Sequence, residues 1–189
     1  YGQPRQINQW LSLTFHDAGH ILGSAIVELR MTVGGQVRTL VFSGDLGNSD
    51  SVLMRPPAIL QKADLVLLEG TYGNRNHRSM DDTISQLTDI LAETWNRRGN
   101  VLIPAFAVGR TQEILFYLGR LHRQGKLDNW RVYLDSPMAI NVTGVYDHWL
   151  KLLDEADVRE LNELDQQSFQ RFLPSLTSSQ SSEDSMAIN

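Results

Sequence analysis

With 189 residues, 41% hydrophobic and 21% charged, the chain can bury one sizeable core or two small ones and has the balance of a soluble globular protein. Its net charge of −5 argues against a general nucleic-acid coat protein, which would be basic. The absence of cysteine excludes disulfides and thiolate zinc sites, so any metal must be held by His, Asp or Glu. No apolar run approaches the roughly 20 residues that cross a membrane. No signal peptide is visible at the Tyr1 end, and the cytoplasm is the expected compartment.

Residues 1–10 carry no clear pattern. Leu11, Leu13 and Phe15 alternate and predict a strand that stops in "HDAGH". There Gly19 and Gly23 bracket His20 and allow a tight turn close to a ligand. His16 lies four residues earlier on a strand end rather than a helix face, and reads as structural or as a support behind the ligands. Residues 24–32 predict a strand, Gly34 and Gly35 a hairpin turn, and residues 36–43 its partner. That partner runs into "GDLG", where Asp45 either faces a metal or makes an Asx-turn. After Pro56 and Pro57, "ADLVLLE" predicts a buried strand with Glu69 at its C-terminal edge. A carboxylate there must be paired or hydrogen-bonded. The next loop holds Arg75, His77 and Arg78, a stretch suited either to phosphate or simply to water.

Ser79 predicts an N-cap, Ile84, Leu87, Leu91 and Trp95 a helix with a core stripe, and Gly99 its stop. From Asn100 the pattern alternates: a buried strand over 100–106, a helix over 109–125, a strand over 130–135 and a helix from Ser136. Such alternation predicts parallel strands with crossover helices, a Rossmann-like sheet. Ligands of such sheets bind beyond the C-terminal strand ends. At one of those ends Gly109 offers backbone N–H groups to an anion and Arg110 adds charge as a substrate-binding residue. The alternative is an ion pair of Arg110 with Asp135 or Glu113. Residues 154–165 predict a charged helix, His122 and His148 read as surface or packing residues, and the Ser-rich stretch 175–189 reads as loop or disordered.

His20, Asp45 and Glu69 are separated by 25 and 24 residues, too far for one helix, and suit loops that converge in space. Imidazole and carboxylate are zinc ligands, and a pair of metals can activate water and steady a phosphate. Spacing alone leaves the structural readings open: a histidine beside glycine and an aspartate in a turn.

The stretches "DAGHILGSA", "FSGDLG" and "LLEGTYGNRNH" resemble the third and fourth metal motifs and the acidic motif of metallo-β-lactamase-fold nucleases of the β-CASP group. "LIPAFAVGRTQEILFYL" and "VYLDSPMAINVTGVY" resemble the body of the β-CASP domain. The resemblance covers residues from about 13 to 150 in order and is nearest to the RNA-processing branch, which includes the nuclease subunit of the mRNA 3′-end cleavage complex.

The resemblance implies an α/β chain with part of a metallo-β-lactamase αββα fold over 1–78 and part of a Rossmann-like β-CASP domain with a parallel sheet over 79–189. His20 would ligate one zinc ion, Asp45 would bridge two, and Glu69 would serve catalysis by orienting a histidine near the leaving group. The implied reaction is hydrolysis of single-stranded RNA in processing or decay. The implied partners are that RNA and a second copy or an RNA-processing complex, with no membrane. The HxHxDH motif and two later histidines of the group are not in this sequence. The chain is therefore expected to be an internal piece that binds zinc weakly or not at all and is inactive alone. Two alternatives stand beside this: a non-catalytic β-CASP interaction subunit, and a small-molecule hydrolase of the wider fold, which would lack the β-CASP-like half.

Overall fold

The computed structural model describes residues 1–162 and 168–188. The chain is mixed α/β and divides into two compact units, Tyr1–Asn74 with Lys151–Asp157, and Arg75–Leu150 with Val158–Asn189.

The first unit is built on a five-stranded sheet in the order β1-β2-β3-β4-β5. Its centre is the antiparallel run of β2 (Leu11–Asp17), β3 (Ala25–Val33) and β4 (Gln36–Phe42). Gly34 and Gly35 make the hairpin turn with φ of +56° and +78°, the left-handed pair that a two-residue connection requires. β1 (Arg5–Asn8) pairs with β2, Arg5 opposite Leu13, in a stretch where the sequence shows no pattern. All four of its residues are exposed, so the strand exists through backbone pairing and leaves no alternation to read.

β5 (Leu65–Leu67) runs parallel to β4, with Leu40 opposite Leu65. The sequence predicts a buried strand here, yet Leu65, Val66 and Leu67 are 59%, 52% and 45% exposed. β5 is the edge strand of the sheet, bonded to β4 on one side only, and its side chains are left about half uncovered on the sheet faces. The apolar core of this unit lies instead under β3 and β4, where Ala18, Ile26 and Val41 are buried with Leu46 and Leu60 packed on them.

In the second unit α1 (Met80–Asn96) begins where Ser79 Oγ accepts the N–H of Asp82 at 3.1 Å. Of its predicted stripe only Leu91 is buried, and Trp95 instead packs its ring 5.8 Å from that of Trp130. α2 (Arg110–Arg123) carries the core, with Leu115, Phe116, Leu118 and Leu121 buried. Phe116 stacks on Phe172 of α5 (Phe169–Phe172) with ring centroids 5.3 Å apart. α3 (Pro137–His148) begins at a second serine cap, Ser136. Its last residue, His148, meets the Trp149 ring edge-on at 5.0 Å. The charged helix is α4 (Glu155–Asn162), which belongs to the first unit up to Asp157 and to the second from Val158, and residues 163–165 of its predicted span lie outside the described residues.

Two predictions in this unit differ from the structure. Residues 100–106 form no strand, and Leu102 and Phe106 are 92% and 85% exposed. A strand needs a ladder partner, and among the described residues the unit's strands are β6 (Val132–Leu134) and β7 (Leu176–Ser178), parallel to each other. The Ser-rich end also differs. It supplies β7 and then α6 (Ser182–Met186), whose start is fixed by Ser181 Oγ accepting the Asp184 N–H at 3.1 Å. Serine composition reads as disorder because it says nothing of which hydroxyls cap a helix. No described helix is long and apolar enough to cross a membrane.

The polar centre of α2 is Gln112, which is fully buried. Its Oε1 accepts the Gly109 N–H at 2.8 Å, and its Nε2 donates to Thr143 Oγ1 at 2.9 Å and to the Ala107 carbonyl at 3.2 Å. Thr143 Oγ1 donates in turn to the Ala139 carbonyl at 2.8 Å, so α2, α3 and the turn before α2 share one network. Gln112→Leu keeps most of the volume and strands these groups, so it is expected to destabilise the unit by about 2 kcal/mol or more. Denaturation followed at Trp130 measures this, and an unchanged midpoint would contradict the network.

Candidate active-site loops

β2 ends at Asp17, and its carboxylate Oδ1 accepts the N–H of Gly19 at 2.9 Å. Ser24 Oγ accepts the N–H groups of His20 and Ile21 at 3.2 and 3.3 Å. Short side chains thus close the His20 turn at both ends. Gly19 has φ of +63°, and a Cβ there would stand 2.5 Å from the Arg55 carbonyl oxygen, so only glycine fits.

The Asp45 loop leaves the end of β4. Ser43 N–H donates to the Leu67 carbonyl at 2.9 Å, holding the loop's start on β5. At its far end Gly47 N–H donates to the Ala18 carbonyl at 2.8 Å. A Cβ on Gly47 would run into the Gly19 carbonyl and the His20 nitrogen. The loops bearing His20 and Asp45 are therefore in backbone contact, an approach that any side chain at position 47 would break.

Glu69, two residues beyond β5, ties the third loop to the second. Its Oε1 accepts the Leu46 N–H at 2.9 Å, its Oε2 accepts the Thr71 N–H at 3.2 Å, and its own N–H donates to Ser43 Oγ at 2.9 Å. Ser43 Oγ donates onward to the Gly44 carbonyl at 2.7 Å. Asp45 thus sits in a loop pinned by Glu69 through Ser43 on one side and Leu46 on the other. The Leu46 N–H is the largest influence holding the Glu69 carboxyl below the usual carboxylate range. Thr71 adds to it, and the charge of His20 contributes a smaller pull. The sequence predicts that Glu69 needs hydrogen bonds, and backbone N–H groups supply them. It does not single out Ser43, whose one local signal is a hydroxyl at a strand end directly before glycine.

His20 and Asp45 are both exposed. Among the described residues no three His, Asp or Glu side chains gather into a set that could hold a metal ion. A catalytic zinc takes about three protein ligands, so His20 and Asp45 do not by themselves complete a site. His16, read as structural, has Nε2 2.7 Å from Glu28 Oε2, and Arg30 Nε lies 2.9 Å from the other Glu28 oxygen.

Arg110, in the second unit, takes one of the two ion pairs that the sequence offers, with Nη1 2.7 Å from Glu113 Oε2. Its guanidinium side chain stays 62% exposed. Asp135 instead accepts the Ser185 hydroxyl at 2.7 Å. The predicted anion site at the start of α2 needs correction, because the Gly109 N–H goes to the Gln112 side chain. The next two N–H groups, of Arg110 and Thr111, go to the carbonyls of Val108 and Phe106 at 3.1 and 3.2 Å. Arg78, in the basic loop, bonds Gln86 at 3.3 Å.

Residues 111–189 match the Beta-Casp domain. The chain is 43% identical over 159 residues to a protein named Ribonuclease TTHA0252 from Thermus thermophilus, covering 81% of this chain and 35% of that protein. It is 34% identical over 157 residues to an RNase J-like protein of Methanocaldococcus jannaschii, covering 82% of this chain and 36% of the relative. Transcription termination factor FttA of Pyrococcus abyssi is 37% identical over 139 residues, 72% of this chain and 21% of the factor. A Beta-Casp domain is thus present over residues 111–189, and the chain spans about a third or less of the length of these curated relatives.

Glu69→Gln keeps an oxygen acceptor but removes the charge that the backbone N–H groups favour. A carboxyl whose folded pKa is depressed contributes stability above its unfolded value and loses it as pH falls through the folded one. The variant is therefore expected to be less stable than the wild type at neutral pH, with the gap closing in acid. Thermal unfolding across pH measures this, and a gap that does not change with pH would contradict it.

Proposed function

We propose that the whole protein containing this sequence is a metal-dependent ribonuclease that hydrolyses phosphodiester bonds of single-stranded RNA in RNA processing or decay. One observation carries the reading: the His20 turn, the Asp45 loop and Glu69 are tied together by the Gly47–Ala18 and Leu46–Glu69 hydrogen bonds. Similarity over 81% of the chain to a protein named a ribonuclease supports it.

In this reading residues 1–78 are part of a metallo-β-lactamase fold and residues 79–189 part of the β-CASP domain. His20 and Asp45 each contribute a donor to a zinc site whose other ligands come from elsewhere in the whole protein. Zinc suits the donor types, imidazole and carboxylate. Glu69 keeps the two loops in register. Each of its oxygens has a further lone pair, enough to orient a histidine brought up to it. Arg110, exposed beside its ion-pair partner, offers a charge to the RNA phosphates. The expected setting is the cytoplasm, with a second copy or an RNA-processing complex as protein partner. A non-catalytic interaction subunit that keeps the fold without the metals is the second reading, and the presence of His20, Asp45 and Glu69 together favours the enzyme over it.

The test is cleavage of end-labelled single-stranded RNA by the whole protein. Asp45→Ala is expected to lower kcat by at least about 100-fold, since losing even a partner that supports a metal ligand costs about 10–100-fold. Undiminished cleavage by that variant would sink the nuclease reading of Asp45. The 189-residue chain alone is expected to be inactive, and metal-dependent cleavage by it that Asp45→Ala abolishes would contradict the incomplete site.

A further inference from the structure

Between the Asp45 loop and β5 the chain passes through one residue in an unfavourable conformation. Leu53 is buried, 1% exposed, yet has φ of +68°, the left-handed region that side-chain-bearing residues avoid. Such a residue persists only where its surroundings over-determine it. Both of its peptide groups are held by a segment far along the sequence. Its N–H donates to Asp157 Oδ2 at 2.6 Å, and its carbonyl accepts the Asp154 N–H at 2.8 Å. Two residues later the Arg55 guanidinium is fixed on the carbonyls of Leu153 and Lys151 at 3.0 and 2.9 Å. Residues Lys151–Asp157 and the loop they hold all belong to the first unit.

The loop so held forms the wall behind the His20 turn. The Arg55 carbonyl and Pro57 are the atoms that leave room for no Cβ at Gly19. The Ala58 N–H donates to the Asp17 carbonyl at 2.9 Å, and Asp17 is the residue whose carboxylate closes the turn. The contacts run without a break from Asp157 through Leu53, Arg55 and Ala58 to Asp17, Gly19 and His20. The bond at its start is short and its acceptor carboxyl is 8% exposed, so it is shielded from water.

From this we infer that Asp157 is a positioning residue for His20. By holding Leu53 left-handed it sets the course of residues 54–58, and these residues set the turn. Without that acceptor Leu53 relaxes to negative φ, the direction of the chain changes at position 53, and the wall leaves Gly19. The consequence for the metal site rests on the reading of His20 as a ligand, whereas the mechanical coupling does not.

Hydrogen–deuterium exchange on the whole protein tests the coupling, comparing wild type, Asp157→Ala and Asp157→Asn. In Asp157→Ala, peptides covering 17–21 and 52–58 are expected to exchange at least about tenfold faster, the effect of leaving a buried N–H without its acceptor. Peptides of β3 and β4 keep wild-type rates. Asp157→Asn, whose amide oxygen can accept the same N–H, stays close to wild type. Unchanged exchange at 17–21 in Asp157→Ala overturns the inference. So does acceleration spread evenly over β3 and β4, or an Asn variant as loose as the Ala one. Zinc content of the same samples separates the two readings. A loosened turn that loses zinc supports both, and a loosened turn that keeps all its zinc supports the coupling and removes His20 from the ligands.

Discussion

The carboxylate of Glu69 is the constraint on which the candidate site depends. It stands at the end of an edge strand, where a charged side chain would ordinarily turn to water. Here it accepts the N–H of Leu46 across the strand end and that of Thr71 in its own loop. Its own N–H takes the Ser43 hydroxyl. The two sides of the Asp45 loop are thereby set by one residue. The favourable exchange is between a carboxylate that must be ionised and N–H groups that must find an acceptor, and it holds while Glu69 is ionised.

Glycine completes what that carboxylate begins. With the Asp45 loop fixed at Leu46, Gly47 comes down on the backbone of Gly19 and His20 with no space for a side chain. Gly19 in turn lies on the Arg55 carbonyl and Pro57. Two connections, that between β2 and β3 and that between β4 and β5, are stacked backbone on backbone, and hydrogen bonds cross between them. The buried cluster of Ala18, Ile26 and Val41 reaches the stack through Leu46, which packs on it. The second unit is held differently, by aromatic stacking of Phe116 on Phe172 and by the buried Gln112 network.

What the sequence discloses follows from the range of the interactions involved. β2, the β3–β4 hairpin and α1 and α2 are legible because alternation, a Gly-Gly turn and serine or glycine boundaries act within a few residues. β1 is not, because its residues are all exposed and only its pairing makes it a strand. The apolar runs at 65–67 and 101–106 read as buried strands, yet burial depends on what covers them and not on their own composition. The site divides in the same way. His20, Asp45 and Glu69 are found by their glycine-flanked positions and by the resemblance to β-CASP nucleases. Ser43 and Asp157 act on partners 26 and 104 residues away, through single hydrogen bonds that leave no periodic trace. The expected anion site at Gly109 fails for a related reason: a buried glutamine three residues along has already taken its N–H.

The proposed function requires His20 and Asp45 to serve the same metal centre in the complete protein. The most direct measurement is anomalous X-ray scattering at the zinc edge from crystals of that protein. The proposed function predicts a zinc peak within ligating distance of both the His20 imidazole and the Asp45 carboxylate, with Glu69 still bonded to Leu46. A protein that binds zinc elsewhere, touching neither residue, would contradict this and leave the stacked loops as a structural corner of the sheet.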